Sequence, residues 1–387
     1  MTRLMSQVAA FALVASAAPA ARQATSTPSD TCIAGVKEVS RSSYTSRNER
    51  HEVEWRADGC ELAITFEGQP RFTEDFRTLQ SLGSRGYFDV DESSSRGRRA
   101  LEIRPQTGAL EYRYTVNGQR RDFDAEGRQW LDTVIREFFR RTAYASKERV
   151  AWLFRNGGAD RVLGEIDQMP STYPQHAYMA ALIDQAAPTR ATLDRMLQRA
   201  RGWSSDYYKS GLLERIVESR TPEAGMWDGL WAVALTIDSD YYSAKVVRAY
   251  IDAGAPLNAA RFAEVLGKIR SDYYRAGIVD VGERKVGSDY APIVLTAARQ
   301  TRSAYYRSQI LTRYLQNCNP DNAALVDVIK LAGELGSDYY RSEVLQQVAS
   351  RHRLEGKARD AYITAAESIG SRHYRQRALA AIERTSR

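Results

Sequence analysis

The chain is short of the residues that metal and thiol chemistry use: three cysteines and four histidines in 387 residues. His51 is followed by Glu52 but by no second histidine at the spacing of a zinc-protease helix, which removes that site. No G-x-S-x-G elbow, S-x-x-K nucleophile or phosphate-binding G-x-x-x-x-G-K loop occurs. These absences exclude the common hydrolase and nucleotide-binding signatures, so neither an enzyme nor a cofactor is expected. Long apolar runs are scarce as well. Only Leu4 to Ala18 is mostly small or apolar, and it falls short of the ~20 residues that span a bilayer. Arg3 precedes this run and Ala18-Pro19-Ala20 follows it, the form of an export signal over residues 1–20. Residues 21–30 read as a flexible tail. The expected location is periplasmic or secreted, with no integral membrane segment after signal cleavage.

Two of the few cysteines, Cys32 and Cys60, share the N-terminal region, and an oxidising compartment permits a bridge between them. Cys318 is left over. The formal charge is +7, and it is unevenly placed. Acidic and basic residues cancel over 21–141, whereas residues 142–387 carry an excess of six bases. In an exported protein this excess points away from nucleic acid. It suits a solvated surface, or an acidic partner such as an anionic envelope polymer or lipid.

Residues 31–141 read as a small α+β domain: an antiparallel sheet closed by one helix. Asp58-Gly59 is a two-residue hairpin turn, and counting outward from it sets Val53, Trp55 and Ala57 opposite Ile64, Leu62 and Cys60 on one face. Arg56 then faces Glu61 on the other side. Asn117-Gly118 marks a second turn after a strand that carries Leu110, Tyr112, Tyr114 and Val116 on one face. Asp124 can cap a helix whose apolar positions are Trp130, Leu131, Val134, Ile135 and Phe138.

The rest of the chain repeats. Variants of Ser-Asp-Tyr-Tyr-Arg-Ser open at Ser205, Ser239, Ser271, Ser303, Ser337 and Ser371, and a weaker Ser-Thr-Tyr-Pro opens at Ser171. The steps are 32 or 34 residues, a period that marks stacked units too small to bury a core alone. Each phrase opens the second helix of a pair. Gly336-Ser337, Gly370-Ser371 and Gly287-Ser288 place glycine where a left-handed stop is tolerated, then serine as a cap, and Asp338 follows in the first turn of its helix. Apolar triplets such as Val344, Leu345 and Val348 give each second helix a buried face.

The phrase separates into roles. Its second tyrosine (Tyr208, Tyr242, Tyr274, Tyr306, Tyr340, Tyr374) flanks the apolar face and is expected to pack. Asp272 with Arg275, and Asp338 with Arg341, suit a structural ladder in which the arginine of one repeat reaches the aspartate of its neighbour. The alternative is a basic strip for an anionic ligand. The first tyrosine points off its own helix's buried face. Tyr173, Tyr207, Tyr241, Tyr273, Tyr305 and Tyr339 either pack on the adjoining helix or form an exposed aromatic row for a partner.

Helix pairs of this period with an Asp/Arg ladder resemble HEAT-like repeats. The Ser-Asp-Tyr-Tyr-Arg-Ser phrase is similar to repeats of bacterial exported proteins, including C-terminal extensions of some BlaR-type sensor peptidases. The resemblance covers the repeats and extends at most to the small sheet domain. The membrane helices and zinc motif of those peptidases are missing here, so it implies an envelope sensing or scaffolding context and no catalytic residue. The fold expected is α+β then all-α: the sheet domain, then a right-handed α-solenoid of about seven two-helix repeats over 142–387. The function expected is non-enzymatic binding of a protein or peptide. A glycan- or cell-wall-active enzyme, or binding of an anionic polymer, are the alternatives.

Overall fold

The computed structural model describes residues 31–47, 49–219, 222–256, 259–286 and 290–385. The signal at 1–20, the tail at 21–30 and the Gly287-Ser288 stop lie outside the described residues. The chain divides into a sheet unit, which ends at Ile135, and a helical unit, which takes Glu74–Phe76 and all from Arg136 onward. The expected division at 141/142 thus falls earlier, inside a helix. The last turns of that helix, with Phe139 and Arg140, engage Phe76 and Glu165 of the helical unit.

Among the described residues of the sheet unit nine strands form: β1 (Arg41–Arg47), β2 (Arg50–Ala57), β3 (Cys60–Glu67), β4 (Arg71–Phe72), β5 (Leu79–Ser81), β6 (Tyr87–Ser94), β7 (Gly97–Gln106), β8 (Ala109–Val116) and β9 (Gln119–Arg121). Seven make one antiparallel sheet in the order β1-β2-β3-β6-β7-β8-β9, and β4 pairs with β5. The β2–β3 register is Val53↔Ile64, Trp55↔Leu62, Arg56↔Glu61 and Ala57↔Cys60. Alternation and turn fix the same pairing, because a one-residue slip would turn every apolar side chain to water. Asn117 and Gly118 both have positive φ, 52° and 78°, as a tight primed turn between β8 and β9 requires.

One face of the sheet buries Trp55, Leu62, Ile64, Phe66, Val90, Leu101 and Ile103. Trp130 and Leu131 of α1 (Ala125–Thr142) are buried as well, and Trp130 meets Tyr114 at 5.7 Å. Each such burial contributes roughly 1.5–3 kcal/mol. Asp124 caps the helix by accepting the N–H groups of Glu126 and Gly127 at 3.0 and 3.1 Å. Cys32 is bonded to Cys60, which fastens the start of the described chain to the buried face. Glu92 lies buried beside it, and its carboxylate accepts from the Thr31 hydroxyl, the Cys32 N–H at 2.9 Å and the Trp130 indole at 3.3 Å. Burial of this carboxylate is tolerable because three donors surround it.

The helical unit runs α2 (Ser146–Arg155), α3 (Gly158–Ile166), α4 (Thr172–Gln185), α5 (Arg190–Arg201), α6 (Asp206–Ser219), α7 (Trp227–Ala234), α8 (Asp240–Asp252), α9 (Ala259–Lys268), α10 (Asp272–Val286), α11 (Ala291–Gln300), α12 (Ala304–Asn317), α13 (Asn322–Gly333), α14 (Asp338–Arg351), α15 (Gly356–Glu367) and α16 (Arg372–Thr385). Each even helix from α2 to α16 packs on the next even one, and odd helices pack on odd neighbours, so two helical layers form. The phrases open the even helices. Between the layers lie the apolar triplets: Leu212, Leu213 and Ile216, Val246, Val247 and Tyr250, and Val344, Leu345 and Val348 are all buried. The third place after Ser271, Gly282, falls among side chains that are not described.

Two local expectations change. Gly336 and Gly370 are not among the glycines with positive φ, so neither is a left-handed stop. A Cβ on Gly370 would come 3.3 Å from an Asp338 carboxylate oxygen, so what glycine supplies there is room for that carboxylate. Serine capping is selective: Ser239 and Ser303 accept the N–H of Tyr242 and Tyr306, whereas Ser337 makes no side-chain cap bond.

Candidate functional site

Aspartate, not serine, links repeats at four joints, through Asp206, Asp240, Asp272 and Asp338; the Ser303 phrase has Ala304 in that place. Asp240 accepts the backbone N–H groups of Arg270 and Ser271 at 3.1 and 2.7 Å. Asp206 does the same for Asp238 and Ser239, Asp272 for Arg302 and Ser303, and Asp338 for Gly370 and Ser371. Each carboxylate thus satisfies the orphan donors at the start of the next phrase while sitting at its own helix N-terminus.

This corrects the expected ladder. Arg275 pairs with Asp272 of its own repeat and donates to the carbonyls of Leu266, at 3.3 Å, and Ile269. Arg341 donates to Leu335 O and, at 3.1 Å, to Ser368 O, and lies 4.0 Å from its own Asp338. Arg307 and Arg375 likewise reach the carbonyls of Thr301 and Ile369. A guanidinium six residues past a helix end meets exposed carbonyls before it meets the neighbour's carboxylate, which backbone N–H groups already hold. The phrase arginines are therefore committed to the backbone and form no strip of open positive charge.

The two tyrosine rows differ as their positions on the helix require. The second tyrosines are half-buried between the layers. The first tyrosines stand in solvent, from 45% exposed at Tyr339 to 61% at Tyr207. Among the described residues the exposed large apolar or aromatic side chains are Tyr44 and these six. The row does not pack on the adjoining helix. Instead each exposed ring from Tyr207 to Tyr339 meets the second ring of its own phrase and that of the following one, and Tyr173, followed by Pro174, meets Tyr208 alone of these at 6.2 Å. Tyr207 lies 5.1 Å from Tyr208 and 6.1 Å from Tyr242; Tyr241 lies 5.0 Å from Tyr242 and 6.0 Å from Tyr274.

The zigzag continues through Tyr273, Tyr306, Tyr305, Tyr340, Tyr339 and Tyr374 to His373, at 5.0–6.2 Å throughout. From Tyr207 onward the rings cross at 60–73°, the edge-to-face arrangement that the ring quadrupole prefers. Burial beneath the row, with Tyr173 and Tyr207 alongside, raises the Tyr208 phenol above its ordinary value, so it stays neutral.

Farther along the same helices, charges pair from one even helix to the next. Asp184 meets Arg215 at 2.9 Å, Glu214 meets Lys245 at 2.7 Å, Asp280 meets Arg313 at 2.9 Å and Glu343 meets Arg377 at 3.3 Å. The acid lies on the earlier repeat each time. His176 sits above Tyr208 at 5.2 Å, and burial together with Arg215 lowers its pKa.

A cleft of about 710 Å³ opens at the first repeat junction, bounded by Leu163, Asp167, Met179, Arg195, Arg199 and Trp203 among others. Thr172 stands there where four later phrases have Asp206, Asp240, Asp272 and Asp338, so it offers no carboxylate to the next phrase. Its inner polar groups are already matched: the Trp203 indole donates to Gln175 at 2.8 Å, Gln175 donates to Met169 O at 2.8 Å, and Arg199 holds Asp167. Deeper in the unit Glu165 is held by Arg140 and Arg149; burial alone would raise its pKa, and the two guanidinium groups bring it below the ordinary value.

No cluster of three or more His, Cys, Asp or Glu side chains fit to hold a metal occurs among the described residues. Among them, too, no helix is long and apolar enough to cross a membrane. No protein-family model, curated protein or solved structure matches the chain.

Proposed function

We propose that this is an exported, non-enzymatic binding protein whose helical unit is a HEAT-like, right-handed α-solenoid of about seven two-helix repeats. The solenoid offers the first-tyrosine row to a protein or peptide partner in the bacterial envelope, in a scaffolding or sensing role. One observation carries this reading: an aromatic side chain recurs six times at one position of the repeat and is left half in water each time. Tyrosine is among the residues that dominate binding hot spots, because a rigid ring and a hydroxyl add contact at small entropic cost. The committed arginines and paired charges beside the row speak against an anionic polymer as its ligand.

The test is affinity capture from envelope extract with the full chain and with a folded Tyr241→Ser/Tyr273→Ser variant, read by mass spectrometry. A partner enriched by the parent and lost from the variant supports the reading. Equal capture by both places the binding surface elsewhere.

A further inference from the structure

We propose that the occupant of the tyrosine row is an uncharged, proline-rich segment in the polyproline II conformation, lying along the row across successive repeats. The inference rests on the reading of the row as the docking surface and adds the chemistry of the partner.

Pitch is the first argument. Successive even helices pack directly on one another, and packed helices lie about 8–10 Å apart. The exposed rings therefore recur on about that spacing. A polyproline II helix turns once in three residues and rises ~3.1 Å for each, so every third side chain returns after about 9 Å. A strand returns its side chains every ~7 Å and an α-helix every ~5 Å, and neither stays in step with the row.

Relief is the second. Tyr242 touches both Tyr207 and Tyr241, and Tyr274 touches both Tyr241 and Tyr273. Consecutive exposed rings are thus the walls of a shallow slot, and the half-buried second tyrosine is its floor. Crossed rings of this kind make a corrugated surface and not a flat platform. A pyrrolidine ring fills such a slot edge-on, whereas the broad face of a sugar asks for an open ring face.

Hydrogen bonding and charge agree. The carbonyls of a polyproline II segment have no partner within the segment, and each exposed tyrosine carries a hydroxyl that can donate to one. Charge complementarity asks for a neutral chain where the neighbouring charge is already matched, as Lys245, one helical turn from Tyr241, faces Glu214 on the preceding helix. The conformation is also largely formed before binding, so little order is lost on docking.

The test uses fluorescent peptides and the full chain, read by anisotropy. The probes are (Pro-Ala-Gln)6, its half-length form (Pro-Ala-Gln)3, and an 18-residue isomer with prolines spaced alternately by two and four. Neutral chito-oligosaccharides compete in a separate arm. The 18-residue in-register peptide is expected to bind at least 10-fold more tightly than the nine-residue form and at least 5-fold more tightly than the isomer. Tyr241→Ser/Tyr273→Ser should lower its affinity at least 10-fold, and Tyr241→Phe/Tyr273→Phe a few-fold. Should the serine pair fail to fold, the in-register against permuted comparison on the parent chain decides alone.

Absent or equal binding of the in-register and permuted peptides overturns the proposal. So does a row-dependent chito-oligosaccharide complex without peptide binding, although the docking reading then survives. In-register binding that is unchanged in a folded serine variant overturns both.

Discussion

The sheet unit and the helical unit use aromatic side chains in opposite ways. In the sheet unit, Trp55, Phe66, Phe88 and Trp130 are each placed once and fully covered. The deeply buried carboxylate among its described residues, Glu92, is enclosed by donors, and His51 lies flat against Phe66 at 4.6 Å. Folding accounts for these residues, and Tyr44 on β1 is the exposed large aromatic among the described residues of that unit. In the helical unit one interface is written again and again, and the five phrases from Ser205 to Ser337 each hold two tyrosines of which packing hides only one. A single exposed aromatic is ordinary on a protein surface. Six at one repeat position, linked into a continuous ladder of rings, are more than packing asks for.

The contrast can be broken at the sheet first. Trp55→Ala should cost about 3–5 kcal/mol in denaturant unfolding, as truncation of a covered aromatic does. Losing the bond that closes a 28-residue separation, through Cys32→Ser/Cys60→Ser, should cost about 3 kcal/mol and free the segment that holds Thr31 against Glu92.

In the helical unit the aspartates grade the joints. Asp272→Ala should cost about 3 kcal/mol, because it strands the buried guanidinium of Arg275 as well as two N–H groups. Asp240→Ala, which strands only the N–H groups of Arg270 and Ser271, should cost about 1 kcal/mol. Equal losses at the two sites would show that the arginine adds nothing to the joint.

A smaller effect is expected from His176. The fold holds it below the ordinary imidazole value near 6.5, through burial and Arg215, so the unfolded chain takes up the proton first. Its contribution is complete above about pH 7 and is lost as the pH falls through the interval below 6.5. His176→Gln should flatten the thermal midpoint between pH 7 and 5; His352, lowered by burial and Arg351, should keep a residual slope. The smallest change is at the row itself. Tyr241→Phe keeps the ring and its two neighbours, so the unfolding midpoint should stay within about 0.5 kcal/mol of the parent.

How far the sequence speaks depends on whether a contact is local. The β2–β3 register and the Asp124 cap follow from neighbours within a few positions, and both were legible. So was the split between the two tyrosines, since a helical wheel orients each against its own helix. Whether Tyr207 met another helix or water was not legible, because that depends on where α8 sits. Asp240 gave no sign of reaching Ser271, 31 residues away. The edge strand β1 was missed because Arg-Ser-Ser-Tyr-Thr-Ser-Arg is polar on both faces and has no period to read. The role of Glu92 was hidden for the opposite reason: one acid in a strand pattern looks exposed until its donors arrive from residues 31, 32 and 130.

The central claim is that the first tyrosines serve a surface and not the fold. Tyrosine acetylation footprinting, read by mass spectrometry on the full chain alone and in envelope extract, tests it most directly. The account predicts that Tyr173, Tyr207, Tyr241, Tyr273, Tyr305 and Tyr339 react readily in the pure protein and that a contiguous run of them becomes protected in extract. Rapid modification of the whole row in both conditions, with protection appearing on another surface, would contradict it.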